Sequence, residues 1–188
     1  MIAYKHSSIQ SNIMQGTVII TGGSHGIGRA TAIRLSELGF DVIVTWNSSK
    51  KKASEVVEKI VKQGNFAAHL QLRLEHDDIH EKFKEIDSII EKPIVGLVNN
   101  AAINEGRNVF TQKSLNDWEK VFRVNVFSLV ELCKAVFERM ALSKGGKGGS
   151  IVNLSSQVAT FGANQLLVYV ASKGDVNAKT IALAKEVG

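Results

Sequence analysis

Short apolar runs alternate along this chain with longer segments in which apolar residues recur every third or fourth position. Apolar runs bounded by turn signals read as buried strands, and they fall at Thr17–Thr21, Val42–Trp46, Ala67–Leu72, Gly96–Asn99 and Ser150–Leu154. Helical periodicity predicts helices over Gly28–Leu38, Lys50–Gln63, Asp78–Ile90, Ser114–Leu142 and Tyr169–Val187. Ser114 with Asp117 three residues on reads as a capping box. Ser143–Gly149 reads as a flexible connection, because Gly148 stands where a P-loop needs Ser or Thr after Gly146-Lys147. Strand and helix in alternation predict an α/β fold, a parallel sheet with helices on both faces.

Composition narrows the class. With 188 residues there is room for one domain, and 44% hydrophobic with 22% charged residues is the balance of a globular protein. The domain is expected over 15–188, preceded by a disordered lead-in at 1–14 that holds no apolar run of signal-peptide length. No apolar stretch is long enough to span a membrane. A net charge of +5 without an arginine-rich or aromatic-interleaved basic patch gives no reason to expect nucleic acid. The one cysteine, Cys133, cannot form an internal disulfide and reads as a core residue in a reducing compartment, the cytoplasm. His76 and His80 are spaced to share a metal but have no evident third ligand, so no metal site is expected.

Two local patterns carry candidate chemistry. In Thr21-Gly22-Gly23-Ser24-His25-Gly26-Ile27-Gly28 a glycine-rich turn follows the first strand and opens the first helix. Glycines let the backbone approach a pyrophosphate, which a helix N-terminus favours. The spacing Gly-x-x-x-Gly-x-Gly differs from the Gly-x-Gly-x-x-Gly fingerprint, so the strand-turn-helix context carries the cofactor reading. The second pattern is Tyr169 and Lys173, four apart on one helix face, with Ser156 thirteen residues before the tyrosine. A cation near a phenol favours its ionised form, and a phenol so tuned can exchange a proton with a carbonyl or alcohol oxygen. Taken alone, the pair also fits an amphipathic helix with a solvated lysine.

Taken together these residues resemble the short-chain dehydrogenase/reductase family. The resemblance spans Thr17 to Gly188 and also includes Asn99-Asn100-Ala101-Ala102, Asn125 in Val124-Asn125-Val126, and Ser156 after Ile151-Val152-Asn153-Leu154-Ser155. Within the family the chain is most similar to the 3-oxoacyl-(acyl carrier protein) reductases. The resemblance implies a Rossmann-type doubly wound sheet of order 3-2-1-4-5 with its ligand at the carboxyl ends of the strands. It implies hydride transfer between NADP(H) and a carbonyl or secondary alcohol, the substrate being a small molecule or an acyl group on its carrier. Tyr169 would supply the proton, Lys173 would hold the nicotinamide ribose, Ser156 would align the substrate oxygen and Asn125 would hold a water leading to Lys173. The cofactor would lie against Gly22, Ser24, His25, Gly26, Ile27 and Gly28 of the turn, Asn99, Ala101 and Ala102, and Tyr169 and Lys173. Family members form dimers or tetramers through the helices holding Asn125 and Tyr169, with Phe122, Phe127 and Phe137 reading as core or interface packing.

Departures from the family pattern qualify the expectation. Members preferring NAD place a carboxylate after the second strand, whereas Trp46-Asn47-Ser48-Ser49-Lys50 has none. Ser48, Ser49 and Lys50 suit a 2′-phosphate, and His25 stands where NADP-dependent members carry arginine, so NADP is expected and NAD is the alternative. The Asp-Val pair that meets the adenine is Arg73-Leu74 here, so that contact is lost or replaced by guanidinium stacking. Family members continue with a sixth and seventh strand, a Pro-Gly turn and a substrate lid, but the only proline is Pro93. The chain is therefore expected to be incomplete at its C-terminus, with the last strand an unprotected edge. A catalytically silent, cofactor-binding fragment is the alternative reading.

Overall fold

The computed structural model describes residues 16–187; the expected lead-in at 1–14 lies outside them. Five strands, β1 (Thr17–Ile20), β2 (Asp41–Trp46), β3 (Ala67–Gln71), β4 (Ile94–Asn99) and β5 (Ser150–Asn153), form one sheet ordered β3-β2-β1-β4-β5. Every pairing is parallel. This is the expected Rossmann-type order, in which the strand direction of growth reverses beside β1 and opens a crevice at the carboxyl ends. The helices are α1 (Gly26–Glu37), α2 (Lys50–Lys62), α3 (Ile79–Ile89), α4 (Leu115–Phe122), α5 (Ser128–Met140), α6 (Val158–Phe161) and α7 (Leu167–Val187).

Side-chain alternation explains why helices cover both faces. Val18, Ile20, Val42 and Val44 pack to one side with Ala32 of α1 and Val56 and Ile60 of α2. Ile19, Ile43 and Leu97 point to the other, against Phe83 of α3, Leu132 and Val136 of α5 and Val176 of α7. Strands apolar on both faces must be covered on both, since burying each such side chain is worth about 1.5–3 kcal/mol. Cys133 lies in the second core, and burial pushes its thiol up to about 11.

Element ends shift by one or two residues from the sequence expectation, the short α6 was not expected, and one long helix is broken. The single helix expected over Ser114–Leu142 is interrupted at Arg123–Phe127 by a π-helical turn, where the Ser128 N–H bonds to the Arg123 carbonyl five residues back. Ser128 Oγ, 2.8 Å from the Arg123 carbonyl and 2.6 Å from that of Leu74, shares its one hydrogen between them and holds the widened turn open. Such insertions are frequent at functional sites, and this one carries Asn125 into the interior. α7 begins at Leu167, two residues before the expected start at Tyr169. The capping box at Ser114 is present, with the Asp117 N–H donating to Ser114 Oγ and the Ser114 N–H to Asp117 Oδ2. β5 is the sheet's edge, and its Val152 is 51% exposed.

Candidate active site

A cavity of about 730 Å³ lies at the carboxyl ends of the strands, walled by the turn after β1 and by 45–49, 72–76 and 100–103 after β2, β3 and β4. Gly22 adopts φ +62°, a conformation that favours glycine, and a Cβ there would stand 3.1 Å from Ala101 Cα, so the turn and the β4 end meet closely. Asn100 locks them together. Its Nδ2 donates to the Thr21 and Gly22 carbonyls at 2.8 and 3.0 Å, while Thr21 Oγ1 accepts from the N–H groups of Asn100 and Ala101. Gly26, also at positive φ, has nothing within 4 Å of where a Cβ would stand. It opens α1, so bare backbone and a helix N-terminus border the cavity, which is what a pyrophosphate requires. The donor set fits a dinucleotide.

Most residues expected at the cofactor line this cavity: Gly22, Ser24, His25, Gly26 and Ile27, then Trp46, Asn47, Ser48 and Ser49, then Ala101 and Ala102. Three do not. Gly28 packs beneath the turn against Asn100 and Gly22, and Lys50 is exposed at the start of α2. Asn99 is the correction of most consequence. It is buried, and its Nδ2 donates to Asn153 Oδ1 at 2.9 Å and toward Cys133 Sγ at 3.4 Å, beneath the sheet's end. Successive strand side chains face opposite ways, so the cavity receives Asn100 instead. Trp46 Nε1 donates to His69 Nδ1 at 3.1 Å; because indole is only a donor, His69 carries its proton on Nε2, 3.1 Å from Ser54 Oγ. Asn100 and Arg73 line the cavity, and His69 holds Trp46 of its wall, though none of them belonged to the expected site set; Asn100 had a signal as the second asparagine of its motif and Arg73 as the residue standing in the family's Asp-Val pair, while His69 had none.

Tyr169, Lys173, Ser156 and Asn125 gather where β5 ends against α7. Lys173 is buried at 3% exposure, its Nζ donates to the Leu154 carbonyl at 2.6 Å, and that Nζ lies 5.9 Å from the centroid of the half-buried Tyr169 ring. Burial lowers the Lys173 pKa from its ordinary 10.5. The next residue after Leu154 ties the other side: Ser155 Oγ donates to the Lys173 carbonyl at 3.1 Å. Ser156 follows, half-buried, its Oγ accepting a long bond of 3.4 Å from the Val158 N–H. Asn125 Oδ1 accepts from the Ile103 N–H at 2.9 Å, and its Nδ2 donates to the Ile103 carbonyl at 2.8 Å and to Ser172 Oγ at 3.0 Å. Ile103 lines the cavity and Ser172 precedes Lys173, so Asn125 joins the two halves of the site. Both of its N–H hydrogens are thereby committed. Among the described residues no three of His, Cys, Asp and Glu come together as metal ligands, and no helix is long and apolar enough to cross a membrane.

The model of the short chain dehydrogenase family matches residues 16–188. The chain belongs to the short-chain dehydrogenase/reductase family. It is accordingly an NAD(P)-dependent oxidoreductase acting between CH–OH and C=O. An uncharacterized oxidoreductase, YgfF, of Escherichia coli (strain K12) is 37% identical over 176 residues, covering 90% of this chain and 69% of that protein. The 3-oxoacyl-[acyl-carrier-protein] reductase FabG of Staphylococcus epidermidis is 33% identical over 175 residues, covering 93% of this chain and 70% of that one. Among solved structures, acetoin dehydrogenase from Enterobacter cloacae superposes with a TM-score of 0.85 at 28% identity, covering 93% of this chain and 68% of that chain. A short chain dehydrogenase from Burkholderia cenocepacia in complex with NADP gives 0.80 at 31% identity, covering 91% and 68%.

Proposed function

We propose that this short-chain dehydrogenase reduces a ketone to a secondary alcohol with NADPH, on a 3-oxoacyl substrate of the kind borne by an acyl carrier. The observation that carries the reading is the junction of β5 and α7, where a buried Lys173 sits beneath the Tyr169 ring and beside the segment bearing Ser156. The likeness to 3-oxoacyl-[acyl-carrier-protein] reductases supports the substrate class.

When bound, the reduced dinucleotide supplies a hydride to the carbonyl carbon. The oxygen then needs a proton, which Tyr169 gives from its phenol. Ser156 Oγ donates a hydrogen bond to the same oxygen and fixes its direction. Lys173, one turn on, offers N–H donors to the ribose hydroxyls. Asn125 has no N–H left for a water, so its part in proton resupply falls to Oδ1 and the backbone of the π-turn. Cofactor preference is supported by the absence of a carboxylate between Val44 and Lys50, by Ser48, Ser49 and His25 on the cavity wall, and by relatives solved with NADP.

Residues 15–188 are read as a single dinucleotide-binding domain of a cytoplasmic protein, in keeping with one buried thiol. Exposed Phe127 and Val130 near the start of α5, with Ile181 on α7, support self-association as a homodimer or homotetramer.

The test is NADPH oxidation over a panel of ketones and 3-oxoacyl thioesters. Tyr169→Phe is expected to abolish turnover while leaving dinucleotide affinity within about twofold; equal activity in this variant removes Tyr169 from the mechanism. The uncovered β5 edge favours one other reading, a silent cofactor-binding fragment. Binding without turnover on every substrate would support it.

A further inference from the structure

The π-turn that carries Asn125 is tied to α7 a second time, by two residues the proton transfer does not use. Lys179 Nζ donates to the carbonyl of Val126, the buried neighbour of Asn125, at 3.2 Å. The same Nζ lies 2.6 Å from Asp175 Oδ2, an ion pair four residues apart on α7 with the acid on the N-terminal side, the favoured order. A long side chain on a helix points back toward its N-terminus, which brings the ammonium to Asp175 and to the turn beyond it. Seven residues before Lys179, Ser172 Oγ accepts from Asn125 Nδ2 at 3.0 Å and donates to the Tyr169 carbonyl at 2.8 Å. Positions seven apart share a helix face and lie about 10 Å apart along the axis. Adjacent residues of one widened turn are therefore held from two separated points on the same face of α7.

A single hydrogen bond leaves a turn free to rotate about it, whereas two separated ones fix its angle as well. We infer that Lys179, held by Asp175, is a positioning residue for Asn125. It sets the angle at which the π-turn presents the Asn125 carboxamide to Ile103 and Ser172, and through Ser172 it steadies the turn of α7 that holds Tyr169 and Lys173. The consequence for turnover rests on the function proposed above; the hold on Asn125 does not. The Lys179 and Asp175 side chains are 28% and 34% exposed, and an ion pair with this much water around it adds little to global stability. The bond from an ammonium to a carbonyl is stronger than a neutral one, so the effect is local to the turn.

Hydrogen exchange at the Asn125 carboxamide, followed by NMR on protein with isotope-labelled asparagine, tests this without substrate. Lys179→Met keeps the reach of the side chain and removes its donor, and the Asn125 hydrogens are expected to exchange at least about tenfold faster. Lys179→Arg can donate both to Asp175 and to the Val126 carbonyl, and is expected to stay within about twofold of the unsubstituted protein. In NADPH-dependent turnover of a 3-oxoacyl thioester, Lys179→Met is expected to lower kcat about 3- to 10-fold at unchanged KM for NADPH. In the Asn125→Leu background the same substitution is expected to change kcat no further. Unchanged Asn125 exchange in Lys179→Met overturns the inference, as does an acceleration shared by amides throughout the sheet, which is a global loss of stability. A full additional loss of kcat on top of Asn125→Leu overturns it too, since Lys179 would then act independently of Asn125. If the unsubstituted protein turns over no ketone, the proposed function fails, and the exchange measurement still decides the hold on Asn125.

Discussion

Lys173 Nζ and the Leu154 carbonyl, 2.6 Å apart, join the first third of α7 to the end of the edge strand β5. The ammonium is nearly out of contact with water, and burial lowers its pKa from 10.5. The unfolded chain therefore holds a proton that the folded chain has released between the lowered value and 10.5. Stability rises with pH wherever the unfolded state binds more protons. Urea unfolding of the protein and of Lys173→Met should diverge in that window, the unsubstituted protein gaining on the variant as pH rises and levelling off above 10.5. An unsubstituted protein that instead loses stability relative to the variant as pH rises would mean that the fold stabilises the ammonium.

Asn125 bridges Ile103 and Ser172 with three hydrogen bonds from one carboxamide. Asn125→Leu keeps the approximate volume but leaves the Ile103 N–H and carbonyl without partners inside the protein. An unsatisfied buried group costs about 1–3 kcal/mol, so a loss of about 2–4 kcal/mol is expected in chemical denaturation. Because Ile103 lines the cavity and Ser172 adjoins Lys173, kcat should fall by at least about tenfold. A loss of stability below about 1 kcal/mol would show that water replaces the bridge.

Gly28 has no room for a methyl group. A Cβ there would stand 2.5 Å from Asn100 Nδ2 and 2.6 Å from the Gly22 carbonyl oxygen, both part of the lock between the turn and β4. Gly28→Ala must displace one of them, at about 1–3 kcal/mol. For a chain of this size the melting temperature should drop by roughly 2–4 °C per kcal/mol, and dinucleotide affinity should fall by more than about tenfold as Asn100 shifts. Unchanged melting and unchanged affinity would show that the turn relaxes without loss.

The elements were readable in advance because their causes are local, whereas the strand order 3-2-1-4-5 came from the family resemblance. Apolar runs of strand length, helical periodicity between them and a glycine turn at the first crossover depend on neighbours a few residues away, and these fixed the order of elements. The spacing of Tyr169 and Lys173 on one helix face follows from helical geometry alone. The π-turn was not readable; it is accompanied by a bond from Ser128 Oγ to the Leu74 carbonyl, which comes from a distant part of the chain. No periodicity records that contact.

The asparagine pair marks the same division. The amino-acid sequence by itself determined that two adjacent asparagines end the fourth strand, and that a turn able to receive a pyrophosphate ends the first. Only the tertiary structure decided that Asn100 holds that turn while Asn99 faces Asn153 in the interior, and that Lys173 finds the Leu154 carbonyl. Backbone conformation responds to nearby residues, whereas a side chain's partner is set by whichever element the packed sheet and helices bring against it.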